Sequence, residues 1–170
     1  MNWLTIVLRL VHVVGGVLWV GFAVFGAFYL FPSIAETGPE GGKVMAVLQR
    51  RGLLTVFPIV ALLTVLSGFW LYVRAARTAP GFGSSRMGMT LGFGGLCALL
   101  ALFIGMLVIT PSMNRATATA QQAAQAQAHE ERQALMGLSA TLRGRAAAAS
   151  RIATLLLIVA AGAMAIGRYV

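Results

Sequence analysis

This sequence predicts an all-α fold, a four-helix transmembrane bundle with an extramembrane helical hairpin between helices 3 and 4, and three observations predict it. Of 170 residues, 59% are apolar and 10% charged, with a mean hydropathy of +0.86, values foreign to a soluble globule and to a disordered chain alike. Four apolar segments, 3–31, 52–73, 87–110 and 152–170, each approach or exceed the roughly 20 residues that cross a hydrocarbon core of about 30 Å. Between the last two lie the polar residues 112–151, rich in Ala and Gln and free of proline, a composition of strong helix formers. Four crossings put both termini on one side. The chain 1–170 reads as a single transmembrane domain with 112–151 as its projecting connection.

Helix 1 is interrupted only by Thr5, Arg9 and His12. Ser33-Ile34-Ala35 loosely resembles a signal cleavage site, but the apolar stretch far exceeds a signal's usual 7–15 residues and no basic residue precedes it, so the segment is read as retained. It is expected to end near Phe31-Pro32-Ser33, and the Gly/Pro density of 36–42 predicts a short loop. Residues 43–51 form a basic, amphipathic lead-in to helix 2. Inside that helix Pro58 removes a backbone hydrogen bond and crowds the carbonyl of Leu54, while Thr55, Thr64 and Ser67 offer hydroxyls to freed carbonyls or to a neighbouring helix. Arg74, Arg77, Pro80 and Gly81-Phe82-Gly83 are assigned to the second loop.

Helix 3 carries two stripes of small residues, Gly88, Gly92 and Gly95 on one side and Thr90, Gly94, Cys97, Ala101 and Gly105 nearly opposite, which predicts neighbours on both faces. Helix 4 repeats the device with Ala146, Ala153, Ala160, Met164 and Gly167. In the polar connection Ala124, Ala128, Leu135, Leu138 and Leu142 recur at helical spacing, the pattern of two helical arms joined by an apolar stripe, with Gly137 one candidate for the turn.

The net charge of +9 comes from 13 basic residues against 4 acidic ones, and they stand singly or in pairs at segment ends and in connections. Anionic headgroups explain that distribution without nucleic acid, and the lipid bilayer is the partner it implies. Lys43, Arg50, Arg51, Arg115, Arg132, Arg143, Arg145 and Arg151 lie on the hairpin side, and Arg9, Arg74, Arg77, Arg86 and Arg168 on the other. By the positive-inside rule the hairpin is cytoplasmic and the termini periplasmic. Trp3 and Tyr169 are placed as interfacial anchors. Cys97, the single cysteine, excludes an intrachain disulfide and reads as a small packing residue.

Ionisable groups within a membrane segment are costly and mark sites by default, which singles out His12. On helix 1 it shares a face with Gly15, Gly16, Trp19, Ala23 and Gly26. A histidine beside glycines offers an axial metal ligand next to backbone that a flat ring can approach, so His12, Gly15, Gly16 and Trp19 form a candidate pocket for haem or another tetrapyrrole. Two other readings stay open: a hydrogen bond from His12 across a helix interface, with the glycines serving tight packing, and a proton-handling role. Copper transport is less well supported, because among eight methionines only Met87 and Met89 are closely paired, and at i, i+2 on a helix they face apart. His129, followed by Glu130, Glu131 and Arg132, reads as a solvated helix face. No Ser-His-acid set, paired carboxylates or phosphate loop occurs in the sequence, so the chain does not read as an enzyme.

The stretch Leu10-Val11-His12-Val13-Val14-Gly15-Gly16-Val17-Leu18-Trp19-Val20-Gly21 resembles the first helix of bacterial four-helix membrane proteins in the copper-resistance-D and HemJ-like grouping. The resemblance continues through Leu63-Thr64-Val65-Leu66-Ser67-Gly68-Phe69-Trp70-Leu71-Tyr72, Thr110-Pro111-Ser112-Met113-Asn114-Arg115 and Ser150-Arg151-Ile152. It implies a four-helix fold in a bacterial inner membrane. HemJ-type proteins are linked to protoporphyrinogen oxidation through an intramembrane histidine, which His12 matches, and a lysine, which helices 2 and 3 lack here. Copper-resistance-D proteins are associated with copper handling. Taken together, these features point to a structural or accessory subunit packing beside other membrane subunits or its own copies, with a haem- or porphyrin-binding redox protein using His12 as the alternative.

Overall fold

The computed structural model describes residues 3–170, apart from the side chain of Pro39. Five helices account for nearly all of it: α1 (Trp3–Glu36), α2 (Pro39–Arg50), α3 (Leu53–Thr78), α4 (Arg86–Gln125) and α5 (His129–Ile166), the last closed by a 3-10 turn at Gly167–Tyr169. Four of these, all but α2, are long and apolar enough to cross a membrane.

Helix 1 does not end at its proline. In α1 a π-turn at Gly26–Leu30 precedes Pro32, and in α4 a second one at Gly105–Ile109 precedes Pro111. Phe31 N–H donates to the Gly26 carbonyl and Thr110 N–H to that of Gly105, each five residues back. A proline crowds the carbonyl four residues before it, and the wider turn opens the space its ring needs, so both helices run on into polar sequence.

Other boundaries differ for equally local reasons. The expected loop at 36–42 shrinks to Thr37-Gly38, where Gly38 at φ 60° makes the reversal and Pro39 opens α2 as a first-turn proline. The basic lead-in is thus a separate helix, parted from α3 by Gly52 at φ 83°. Arg74 and Arg77 belong to α3, which runs to Thr78. Gly137 lies inside α5, and the break falls instead at Ala126–Ala128. Ala124, Ala128 and Leu138 are exposed, while Ala116, Ala123, Ala126 and Ser139 are buried. Small side chains win the contact because they let the arms approach, close enough for Ser139 Oγ to donate to the Ala116 carbonyl at 2.8 Å.

Contacts between α4 and α5 ascend one helix as they descend the other: Gly94 against Ala160 and Ala163, Ala101 against Ala153 and Leu157, Met113 against Ala146, Ala116 against Ser139. The pair α1 and α3 behaves alike, from His12 against Gly68 and Gly15 against Thr64 to Phe22 stacked on Phe57 at 3.6 Å between ring centres. Thr154 Oγ1, bonded to the Ala23 carbonyl at 3.1 Å, ties α5 to α1, and the Tyr72 hydroxyl, bonded to the Gly88 carbonyl at 3.2 Å, ties α3 to α4.

The two helix pairs repeat one another in sequence as well. Gly15-Gly16, Gly26 and Pro32-Ser33 of α1 recur 79 residues later as Gly94-Gly95, Gly105 and Pro111-Ser112 of α4. Thr55, Ala61 and Gly68 of α3 recur 99 residues later as Thr154, Ala160 and Gly167 of α5. The second copy is longer by 20 residues, all between its proline and its threonine, where α4 and α5 extend into their polar arms and the first copy has α2.

Gly94 and Gly95 provide a controlled comparison. A Cβ on Gly94 would stand 3.0 Å from Ala163 Cβ and 3.2 Å from the Ala160 carbonyl oxygen, whereas one on Gly95 would meet nothing within 4 Å. Gly94→Leu is therefore expected to cost about 1–3 kcal/mol by overpacking, read as a lower melting temperature in detergent, and Gly95→Leu to leave it nearly unchanged. Equal losses would contradict this packing.

Candidate functional site

His12 projects from α1 onto α3, where its Nδ1 lies 2.8 Å from the Thr64 carbonyl oxygen. A carbonyl only accepts, so Nδ1 carries the hydrogen, and in the neutral ring Nε2 keeps a free lone pair. Gly68 makes room for the ring: a Cβ there would stand 2.5 Å from His12 Cε1 and 2.8 Å from Nδ1. The same Thr64 carbonyl accepts from Ser67 Oγ at 3.0 Å, and Ser67 Oγ also reaches the Leu63 carbonyl at 2.6 Å. Thr64 and Ser67 are buried, and Thr64 Oγ1 donates to the Val60 carbonyl at 2.8 Å. The half-buried imidazole thus rests against a stretch of α3 whose Thr64 and Ser67 hydroxyls turn back to that helix's own carbonyls.

The four residues of the expected tetrapyrrole pocket do not share one surface. Gly15 lies under Thr64, whose Oγ1 occupies the space a Cβ on Gly15 would need, and a Cβ on Gly16 would meet only Thr64 Cγ2, at 3.9 Å. The glycine backbone that a flat ring was to approach is, at Gly15, covered by a threonine. Trp19 turns to the other two helices and packs with Cys97, Ala98 and Ala160, and with Ala101, Ala153 and Leu157. His12, Gly15 and Gly16 thus lie on the α3 side of α1, and Trp19 on the side of α4 and α5.

No protein-family model, curated protein or solved structure matches this chain. The matching positions of the two helix pairs supply an internal comparison instead. The counterpart of His12 is Leu91, whose Cδ2 would lie 2.8 Å from a Cβ on Gly167, as His12 lies against Gly68. Thr64 corresponds to Ala163, and Ser67 to Ile166. One contact is thus built twice, once with polar residues and once without.

Other groups are placed apart from this seat. Among the described residues no three His, Cys, Asp or Glu side chains are grouped to hold a metal ion. Met87 and Met89 are exposed, whereas Met45 and Met113 are buried in one cluster with Ala146. His129 Nε2 lies 2.9 Å from Gln133 Nε2 on an exposed face, the ring there accepting from the amide. Sequence reasoning named Thr64 and Ser67 as hydroxyls able to reach a neighbour but missed Gly68, whose only signal is a glycine one turn after Thr64.

The fit of His12 on Gly68 is testable by a double-mutant cycle. Gly68→Ala should destabilise the protein by about 1–3 kcal/mol, and His12→Ala should recover much of that loss, because the crowding needs both partners. The same melting-temperature drop in both backgrounds would show that the ring does not rest there.

Proposed function

We propose that this chain is an inner-membrane protein, a four-helix transmembrane bundle with an extramembrane helical hairpin formed by 112–151, and that it acts without catalysis as an accessory subunit. In this reading the hairpin is cytoplasmic, both termini are periplasmic, and the partners are other membrane subunits or copies of the chain. The glycines carry the argument. Gly15, Gly68, Gly94 and Gly167 are consumed by contacts within the chain, but a Cβ on Gly21, Gly95, Gly105 or Gly162 would meet nothing within 4 Å. Glycine lowers helix propensity and gives lipid little to pack against, so an outward glycine is best used by the close approach of another helix. The resemblance to the copper-resistance-D and HemJ-like grouping supports the same four-helix arrangement.

Size and composition of the particle extracted in mild detergent test this reading. We expect the wild-type chain to run as a complex, and Gly162→Leu or Gly95→Leu to release it as a folded monomer, because neither glycine packs within the chain. A wild-type chain that is already monomeric would overturn the proposal.

A second reading, a haem- or porphyrin-binding redox protein using His12, draws on the comparison of the two copies. Leu91 fills the equivalent seat without polar partners, so packing alone does not call for an imidazole there. A histidine whose Nδ1–H is held by a carbonyl is also oriented as metal-ligating histidines are. If His12 only packs, His12→Gln costs on the order of 1 kcal/mol, in the range of interhelical hydrogen bonds in lipid. If it is an axial ligand, the same substitution abolishes a visible absorption band of the purified protein while the fold survives. A colourless wild-type preparation that takes up no added haem would rule this reading out.

A further inference from the structure

At the cytoplasmic end of the proposed arrangement a groove of about 590 Å³ opens between α2 and α4, lined by Lys43, Ala46, Val47, Gln49, Arg50, Thr117 and Gln121. On α2 the residues Lys43, Ala46, Val47 and Arg50 form a single stripe at helical spacing, and on α4 Thr117 and Gln121 are one turn apart. The two walls are joined by a hydrogen bond from Gln49 Nε2 to Thr117 Oγ1 at 2.8 Å. We infer that this groove seats the phosphate-bearing headgroup of an anionic lipid, with Arg50 and Lys43 as its cationic contacts.

Depth, charge and lining all favour that ligand. At about 1.5 Å per helical residue, Thr117 lies roughly 10 Å beyond Thr110, where the apolar segment ends, and so a few ångströms outside a headgroup layer of about 5–8 Å. Long basic side chains there reach back toward the lipid phosphates. The walls offer Ala46 and Val47 to the glycerol end of a lipid, and amides from Gln49 and Gln121 to ester and phosphate oxygens. Lys43 gives one hydrogen to Glu40 at 2.7 Å in an exposed pair and retains two. Arg50 has no such acidic neighbour one turn away on α2, and its planar guanidinium suits a phosphate in two-point contact.

The inference rests on the membrane placement proposed above, which is tested separately by whether carbonate washing leaves the chain in membranes. Native mass spectrometry of the full chain, with phosphatidylglycerol or phosphatidylcholine added to the micelles, tests the groove itself. Wild-type protein should retain phosphatidylglycerol in preference to phosphatidylcholine, and Lys43→Gln with Arg50→Gln should weaken retention roughly tenfold to thirtyfold, as for the loss of two surface cations. Glu40→Gln, which frees Lys43, should strengthen it. The proposal fails if both lipids are retained equally, or if Arg143→Gln with Arg145→Gln weakens binding as much. It also fails if millimolar inorganic phosphate displaces the lipid, since the site would then be one for free phosphate.

Discussion

The close approach of helix backbones is the constraint on which the rest of this structure depends. Between apolar helices in lipid the hydrophobic effect supplies no attraction, so adhesion comes from dispersion and short hydrogen bonds, and both decay within an ångström or two. The contacts therefore centre on glycine: His12 on Gly68, Leu91 on Gly167, Gly15 under Thr64 and Gly94 under Ala163. The burial pattern follows from this. Alanines dominate the buried apolar residues, while Leu, Val and Phe side chains cover the outside. A soluble protein would invert that arrangement.

The matching positions of the two helix pairs show what the packing requires and what it leaves free. Both copies keep a glycine pair, a π-turn before a proline, and a threonine, alanine and glycine along the second helix. These features set the distance between backbones or carry the helix past its proline, and a change in any of them would alter the joint itself. The connection is free to vary, since it lies beyond the apolar segments, and one copy has the short helix α2 where the other has two long arms. Gln49 and Met45 of α2 reach Thr117 and Met113 of α4, so the first connection braces the base of the second.

Much of this was legible in the sequence because apolar length is a direct signal. The four long helices, the small-residue contacts of Gly94, Cys97 and Ala101, and the buried Ala146, Ala153, Ala160 and Gly167 follow from hydropathy and helical spacing, whereas Gly95 and Gly105 of the same expected stripes meet no neighbour within the chain and Met164 is half-buried. The errors lie where one residue was read without its neighbours. Pro32 alone predicts an end to helix 1, and the compensating π-turn depends on backbone geometry that no residue type announces. In the polar arms Ala124, Ala128 and Leu138 of the expected stripe are exposed and Leu135 and Leu142 half-buried, while Ala116, Ala123, Ala126 and Ser139 are buried. Burial there is decided by how closely two helices can lie. Of the candidate site, His12 was evident as an ionisable group in an apolar run, but its surroundings were not, since Thr64 and Gly68 meet it only across the pair.

That pair carries an asymmetry that packing does not account for. The half-buried imidazole of His12 makes one hydrogen bond, from Nδ1 to the Thr64 carbonyl, which leaves a lone pair on Nε2 of the neutral ring. Thr64 and Ser67 turn their hydroxyls to backbone carbonyls of their own helix, so neither compensates Nε2. The second helix pair reaches the same close contact with Leu91 on Gly167 and uses no polar side chain there. The polar version is therefore not required by a packing problem that the chain also solves without it. A group that interacts with Nε2, whether a metal centre, a proton carrier or a donor on a neighbouring subunit, would account for the difference, and the imidazole is already held in the tautomer that such a group requires.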